Sequence, residues 1–227
     1  MIPLDSRFSF VIGGSQDEQG RYPVERENLV LIDTMMGVTK VKFKKDLAHP
    51  VIHPACSIYD KRLLFIAGGQ IKGQWITNIQ IYDIEKGELH KLEKKDQEMG
   101  NIPVPLIGPS MSAEFFDTLG LIICGYNHQS KETEVWIYYT QKNKWQHINQ
   151  DSLLLEKGYS FIGMHIFSID PKEYYMILMG GINLEDKQSN NMNFIYKMDQ
   201  AGSIGFEGGN LFNGRGDKNV SLGDFFP

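Results

Sequence analysis

Four apolar runs that end at a glycine constrain this chain more than any other feature. They are FSFVIGG (Phe8–Gly14), LLFIAGG (Leu63–Gly69), LGLIICG (Leu119–Gly125) and YYMILMGG (Tyr174–Gly181), and their last glycines stand 55, 56 and 56 residues apart. Each run is followed by a polar loop and then by a second apolar strand: LVLID (Leu29–Asp33), IQIYD (Ile79–Asp83), VWIYY (Val135–Tyr139) and NFIYK (Asn193–Lys197). Three of the four continue into another strand-like segment: VTKVKF (Val38–Phe43), GELHKL (Gly87–Leu92) and NKWQHI (Asn143–Ile148). Three also begin with an apolar strand, ACSIY (Ala55–Tyr59), MSAEFF (Met111–Phe116) and FIGMHIFSI (Phe161–Ile169). A fixed interval of this length signals a repeated supersecondary unit.

The full unit has four strands, two mostly apolar and two alternating. Strands covered on both faces read as apolar runs, and those covered on one face alternate. Turns are expected at Met36-Gly37, Asp60-Lys61, Lys86-Gly87, Asp117–Gly120 and Asp170–Glu173, with a short helical turn around Leu153–Leu155. The first unit lacks its innermost strand in this reading, and the fourth strand of the last unit is undefined. Blades of four antiparallel strands at a regular interval define a β-propeller. The expected fold class is therefore all-β: about four four-stranded antiparallel blades over residues 1–205, and a glycine-rich C-terminal tail over 206–227.

The repeat resembles the kelch family. The likeness rests on the terminal glycine pair, on an aromatic in the following strand (Tyr82, Tyr139, Tyr196) and on Trp145 some six residues further on, and it spans roughly Phe8 to Phe206. The third unit departs by carrying Cys124 in place of the first glycine, and the second has Leu92 where a tryptophan is expected. Kelch propellers usually have five to seven blades, so the resemblance raises the question of closure. About five large apolar side chains left bare on an end blade forgo about 8–15 kcal/mol, as much as the net stability of a domain, about 5–15 kcal/mol. The arc must close on itself, associate with a second copy, or belong to a longer propeller.

Composition narrows the function. The chain has 227 residues, 41% hydrophobic and 22% charged, with a net charge of -5. That balance argues against nucleic acid, which favours a basic face. The alternating Lys40, Lys42, Lys44 and Lys45 read as the solvated side of an outer strand. No apolar run approaches the roughly 20 residues that span a bilayer, and the N-terminus shows no secretory pattern, so a cytoplasmic protein is expected. Cys56 and Cys124 lie in apolar runs and read as buried thiols rather than a disulfide framework.

Nothing suggests catalysis. The histidines are scattered, and Pro50 between His49 and His53 argues against a helical metal pair, so they read as ordinary loop histidines. No glycine pair leads into a helix or a Lys-Ser/Thr, so none is a phosphate loop; the glycines read as close-approach positions. The Arg215-Gly216-Asp217 triplet is a chance match. No cofactor or metal is expected.

The resemblance instead implies a non-catalytic module that binds a protein partner on a rim. That rim is built from the loops Ser15–Glu27, Gln70–Asn78, Tyr126–Thr133 and Ile182–Asn191. The candidate residues are Arg21, Tyr22, Arg26, Lys72, Gln74, Trp75, Tyr126, Asn127, His128, Asn183 and Lys187, because aromatic and arginine side chains dominate binding hot spots and loops on a rigid scaffold carry recognition. The rival readings are a propeller-scaffold enzyme of galactose-oxidase or sugar-acting type, and a structural subunit of a larger assembly. Against the sugar-acting reading, the Ser-x-Asp-x-Gly-x-Thr-Trp loop of sialidase-type propellers is missing.

Overall fold

The computed structural model describes residues 1–18, 21–34, 40–89, 101–115, 118–139, 144–148, 158–170, 173–189, 193–198 and 204–209. Among them every regular element is a strand, and the class is all-β. The turn at Met36-Gly37, the helical turn around Leu153–Leu155, the Arg215-Gly216-Asp217 triplet and the tail beyond Gly209 lie outside the described residues. The chain divides into two compact units, Met1–Leu106 and Ile107–Pro227. Each holds two four-stranded antiparallel sheets.

In the first unit, β1 (Ile2–Pro3), β2 (Phe8–Ile12), β3 (Leu29–Asp33) and β4 (Lys40–Lys45) form one sheet in that order. β5 (Ala55–Tyr59), β6 (Leu63–Ala67), β9 (Ile79–Asp83) and β10 (Glu88–Leu89) form the other, and β7 (Gln70–Ile71) and β8 (Gln74–Trp75) make a small hairpin between β6 and β9. The first repeat, read from its sequence as lacking its innermost strand, does have a strand ahead of its glycine-ended one. It is two residues long, pairs Ile2 with Phe10 and Pro3 with Ser9, and is too short to leave a periodic signal. The two sheets meet over Phe10, Leu29, Leu64, Ile66 and Tyr82. Phe10 meets Phe43 and Tyr82 edge-on, at centroid separations of 6.0 and 6.4 Å.

In the second unit, β11 (Ile107–Phe115), β12 (Thr118–Asn127), β13 (Glu132–Tyr139) and β14 (Lys144–His147) form one sheet. β15 (Tyr159–Ser160) lies on the crossing to the next sheet. That sheet is made of β16 (Gly163–Asp170), β17 (Glu173–Met179), β19 (Asn193–Met198) and β20 (Ile204–Gly209), with β18 (Ile182–Asn183) pairing back to β15. β20 supplies the fourth strand that the sequence left undefined, and it runs across the boundary drawn at residue 205. The core combines Ile122, Cys124, Val135 and Ile137 with Met176, Leu178, Phe194 and Tyr196. The repeat's aromatics Tyr82 and Tyr196 are thus core residues of the first and second units, and Tyr139 packs against the core of the second.

The predicted gradient of burial is present. β6 is buried along most of its length, whereas β4 is exposed at five of six positions. Lysines and a bulge in the pairing between Leu31 and Ile32 blunt this edge against further strand pairing. Two of the lysines are tied down, Lys42 to Asp33 at 3.2 Å and Lys44 to Glu27 at 2.5 Å.

Candidate functional site

The glycine pairs end the strands that lead into the candidate loops. Gly13, Gly14, Gly68, Gly69, Gly180 and Gly181 all have positive φ, so β2, β6 and β17 stop there and the chain turns into a loop. Two of the pairs also admit a neighbouring backbone. A Cβ on Gly13 would lie 2.4 Å from the Val51 carbonyl oxygen, and one on Gly69 would lie 2.8 Å from that of Ile52. The crossing between the first two sheets therefore threads between the ends of β2 and β6. Ile52 and Gln70 exchange two backbone hydrogen bonds, at 3.0 and 2.8 Å. The buried Asn28 accepts from Leu47 N at 2.6 Å, and Gln80 clamps both backbone groups of His49.

The second unit repeats this plan. Thr133 Oγ1 donates to Tyr159 O and accepts from Tyr159 N, at 2.9 and 2.8 Å. A Cβ on Gly158 would lie 2.6 Å from the Tyr126 ring, and one on Gly181 would lie 2.8 Å from Ile162. In each unit, two loops flank one crossing.

Arg21 and Tyr22 form the best-defined feature among the exposed candidate residues. Asp17 gathers their loop: its Oδ1 accepts from the Ser15 hydroxyl (2.8 Å), Arg21 N (2.8 Å) and Tyr22 N (3.2 Å), and its Oδ2 accepts from Arg21 Nε (3.1 Å). The Ser15 hydroxyl first, and then the Tyr22 and Arg21 amides, hold the Asp17 carboxyl well below the usual carboxylate range. The Arg21 guanidinium lies 5.8 Å from the Tyr22 ring centroid, and Tyr22 is 52% exposed.

The other candidates divide by burial. Lys72 and Gln74 are exposed on the β7–β8 hairpin, whose Lys72-Gly73 corner has both φ values positive as a two-residue hairpin turn requires. Trp75 is half-buried at the base of that hairpin, opposite Gln70. Arg26, His128 and Lys187 are exposed, and Asn183 is half-buried, its Oδ1 accepting from Glu185 N at 2.8 Å to shape its own turn.

Tyr126 and Asn127 depart from the expectation of a rim loop. They end β12, only 4% and 6% exposed. Neither Cys124 nor Gly125 has a positive φ. The strand therefore runs on two residues past the glycine and reaches β13 through a short turn.

Two features escaped the sequence reading. Phe161, expected in a strand, lies on the crossing before β16 with φ +58° and 45% exposure, and Ile182 beside it in the chain fold is 42% exposed. Nothing local marks this, because Phe161 opens an apolar run and Ile182 is a single apolar residue at the start of a polar loop. Two equivalent Arg–Asp pairs also recur. Arg7 grips the buried Asp33 through two bonds, at 3.0 and 2.8 Å, and Arg62 reaches the buried Asp83 at 3.5 Å. Their signal was an arginine directly before the glycine-ended run and an aspartate closing the next strand.

Cys124 is buried and Cys56 half-buried, and burial of the sulfur pushes both thiols up to about 12. Among the described residues, no three His, Cys, Asp or Glu side chains gather as metal ligands, and no helix is long and apolar enough to cross a membrane. Compared with known proteins, the chain matches no family model and no curated sequence.

Proposed function

We propose that this chain is a non-catalytic binding module built on kelch-like propeller blades, and that it takes a protein partner on the rim formed by the loops after the glycine-ended strands. The observation that carries the reading is the Arg21–Tyr22 pair. An arginine and an exposed tyrosine are held in place by one carboxylate, at low entropic cost to a partner that docks on them. Four four-stranded antiparallel sheets at a regular interval support the propeller part of the reading.

The test is affinity capture with the immobilised full chain beside its Arg21→Ala and Tyr22→Ala variants. The expected result is a protein retained by the parent and lost by both variants, with melting temperatures unchanged because Tyr22 is exposed. An identical set of proteins retained by all three would remove these residues from the binding surface.

A further inference from the structure

The large apolar side chains that the second unit exposes among its described residues lie at one place. They are Phe161, Met179 and Ile182, each at least 40% exposed. Ser160 pairs with Ile182 and Gly163 with Met179, so Phe161 sits on the short step between these two pairs. It is held there against its preference. Its φ of +58° is one that a bulky side chain rarely adopts. Its amide donates to Gly108 O at 3.1 Å, and its ring rests on Gly108, where an added Cβ would stand 2.7 Å from Phe161 Cγ. Gly180 follows Met179, and nothing stands within 4 Å of the place its Cβ would take. Exposed apolar residues scattered singly need no explanation, but a contiguous group marks a contact surface.

The chain itself supplies an occupant. β20 returns to this end of the sheet: Gly209 pairs with Phe194, and Phe194 pairs with Leu178, next to Met179. Beyond Gly209 the sequence holds Leu211, Phe212, Leu222, Phe225 and Phe226 as large apolar residues. Three strand spacings, about 15 Å, separate β20 from β16, which Phe161 precedes. Leu211 and Phe212 reach no more than about 10 Å from Gly209. A glycine-rich chain of about 15 residues spans about 20 Å on average and at most about 50 Å, which brings the adjacent aromatics Phe225 and Phe226 within range. We propose that Phe225 and Phe226 dock on the Phe161–Met179–Ile182 patch of their own chain. The tether raises their effective concentration to the order of millimolar, so a contact of two side chains is enough to populate the covered patch. The fixed Phe161 ring offers an aromatic an offset or edge-on partner. The contact stands whether or not the Arg21–Tyr22 loop takes a protein.

The experiment attaches a nitroxide at Gly223→Cys in the full chain and reads the methyl signals of Met179 and Ile182 by NMR. The buried sulfurs of Cys56 and Cys124 keep these residues from the label. Both methyl signals should be quenched. They should return in Phe225→Ser/Phe226→Ser with the melting temperature unchanged, and also in Phe161→Ala, which decides alone if the doubly substituted chain does not fold. Signals that are unaffected in the parent, or that stay fully quenched in either variant, overturn the proposal. A mixture of nitroxide-bearing chain without isotope label and isotope-labelled chain without nitroxide tests for a second copy. Quenching in that mixture as strong as in the single chain overturns the intramolecular contact.

Discussion

Replacing Gly69 by alanine tests what the glycine pairs are for. Gly69 has φ +90°, and an added Cβ would stand 2.8 Å from Ile52 O, 3.1 Å from Pro54 N and 3.2 Å from Pro54 Cα. All three are backbone atoms, so no rotamer relieves the clash. The positive φ costs an L-residue about 1–2 kcal/mol. Moving the crossing away strains or breaks the Ile52–Gln70 pair, whose two hydrogen bonds are each worth about 0.5–1.5 kcal/mol. The total is about 2–5 kcal/mol, a large share of a domain's stability. Gly180→Ala is the control: φ is +66° and nothing lies within 4 Å, so the backbone term of about 1–2 kcal/mol stands alone. Urea unfolding of both variants, read as free energies, should rank Gly69→Ala clearly below Gly180→Ala. Equal losses would mean that the crossing yields freely and that close approach is not the reason for glycine at position 69.

Two further outcomes follow from the buried polar groups and thiols. The Lys86 amide first, and then the Arg62 and Lys86 charges, lower the Asp83 carboxyl in the folded state, so its contribution is present above the ordinary aspartate value of about 3.9 and lost as pH falls towards the folded value. The urea midpoint should therefore drop between about pH 5 and 2, and less steeply in Asp83→Asn; an unchanged slope would refute the assignment. With both thiols pushed up to about 12, iodoacetamide at about pH 8 should leave Cys56 and Cys124 unlabelled in the folded chain and label both in denaturant; native labelling of Cys124 would contradict its burial.

The strand framework was legible because its signal is local. Alternation, apolar runs and positive-φ glycines place β2, β3, β5, β6, β9, β12, β13, β17 and β19 close to where the sequence put them. The elements that escaped are held by pairing rather than by pattern. β1 is two residues long, β20 is glycine-rich, and β15 and β18 exist because the crossing lies against the loop. Side-chain roles were less legible still. Trp75, in a polar loop, is half-buried because the small hairpin folds back towards the crossing. Glu134, in an otherwise apolar strand, gave no hint that it gathers Asn127, Ser130 and Trp136.

The third repeat shows how a departure from a pattern carries structural information. A residue with a Cβ avoids the positive φ found at Gly13, Gly68 and Gly180, so Cys124 keeps the backbone extended. With the strand extended, pairing continues through Tyr126 with Thr133 and Asn127 with Glu132. That pulls both residues out of the loop and into the sheet, where Tyr126 packs against the Gly158 crossing and Asn127 becomes the anchor of a short turn. The same cysteine therefore accounts for the missing long loop, for the burial of two residues expected on the surface, and for the position of the Glu134 carboxylate beneath the turn. The third loop is the short, tightly anchored one, while the loop after β2 carries the exposed Arg21–Tyr22 pair.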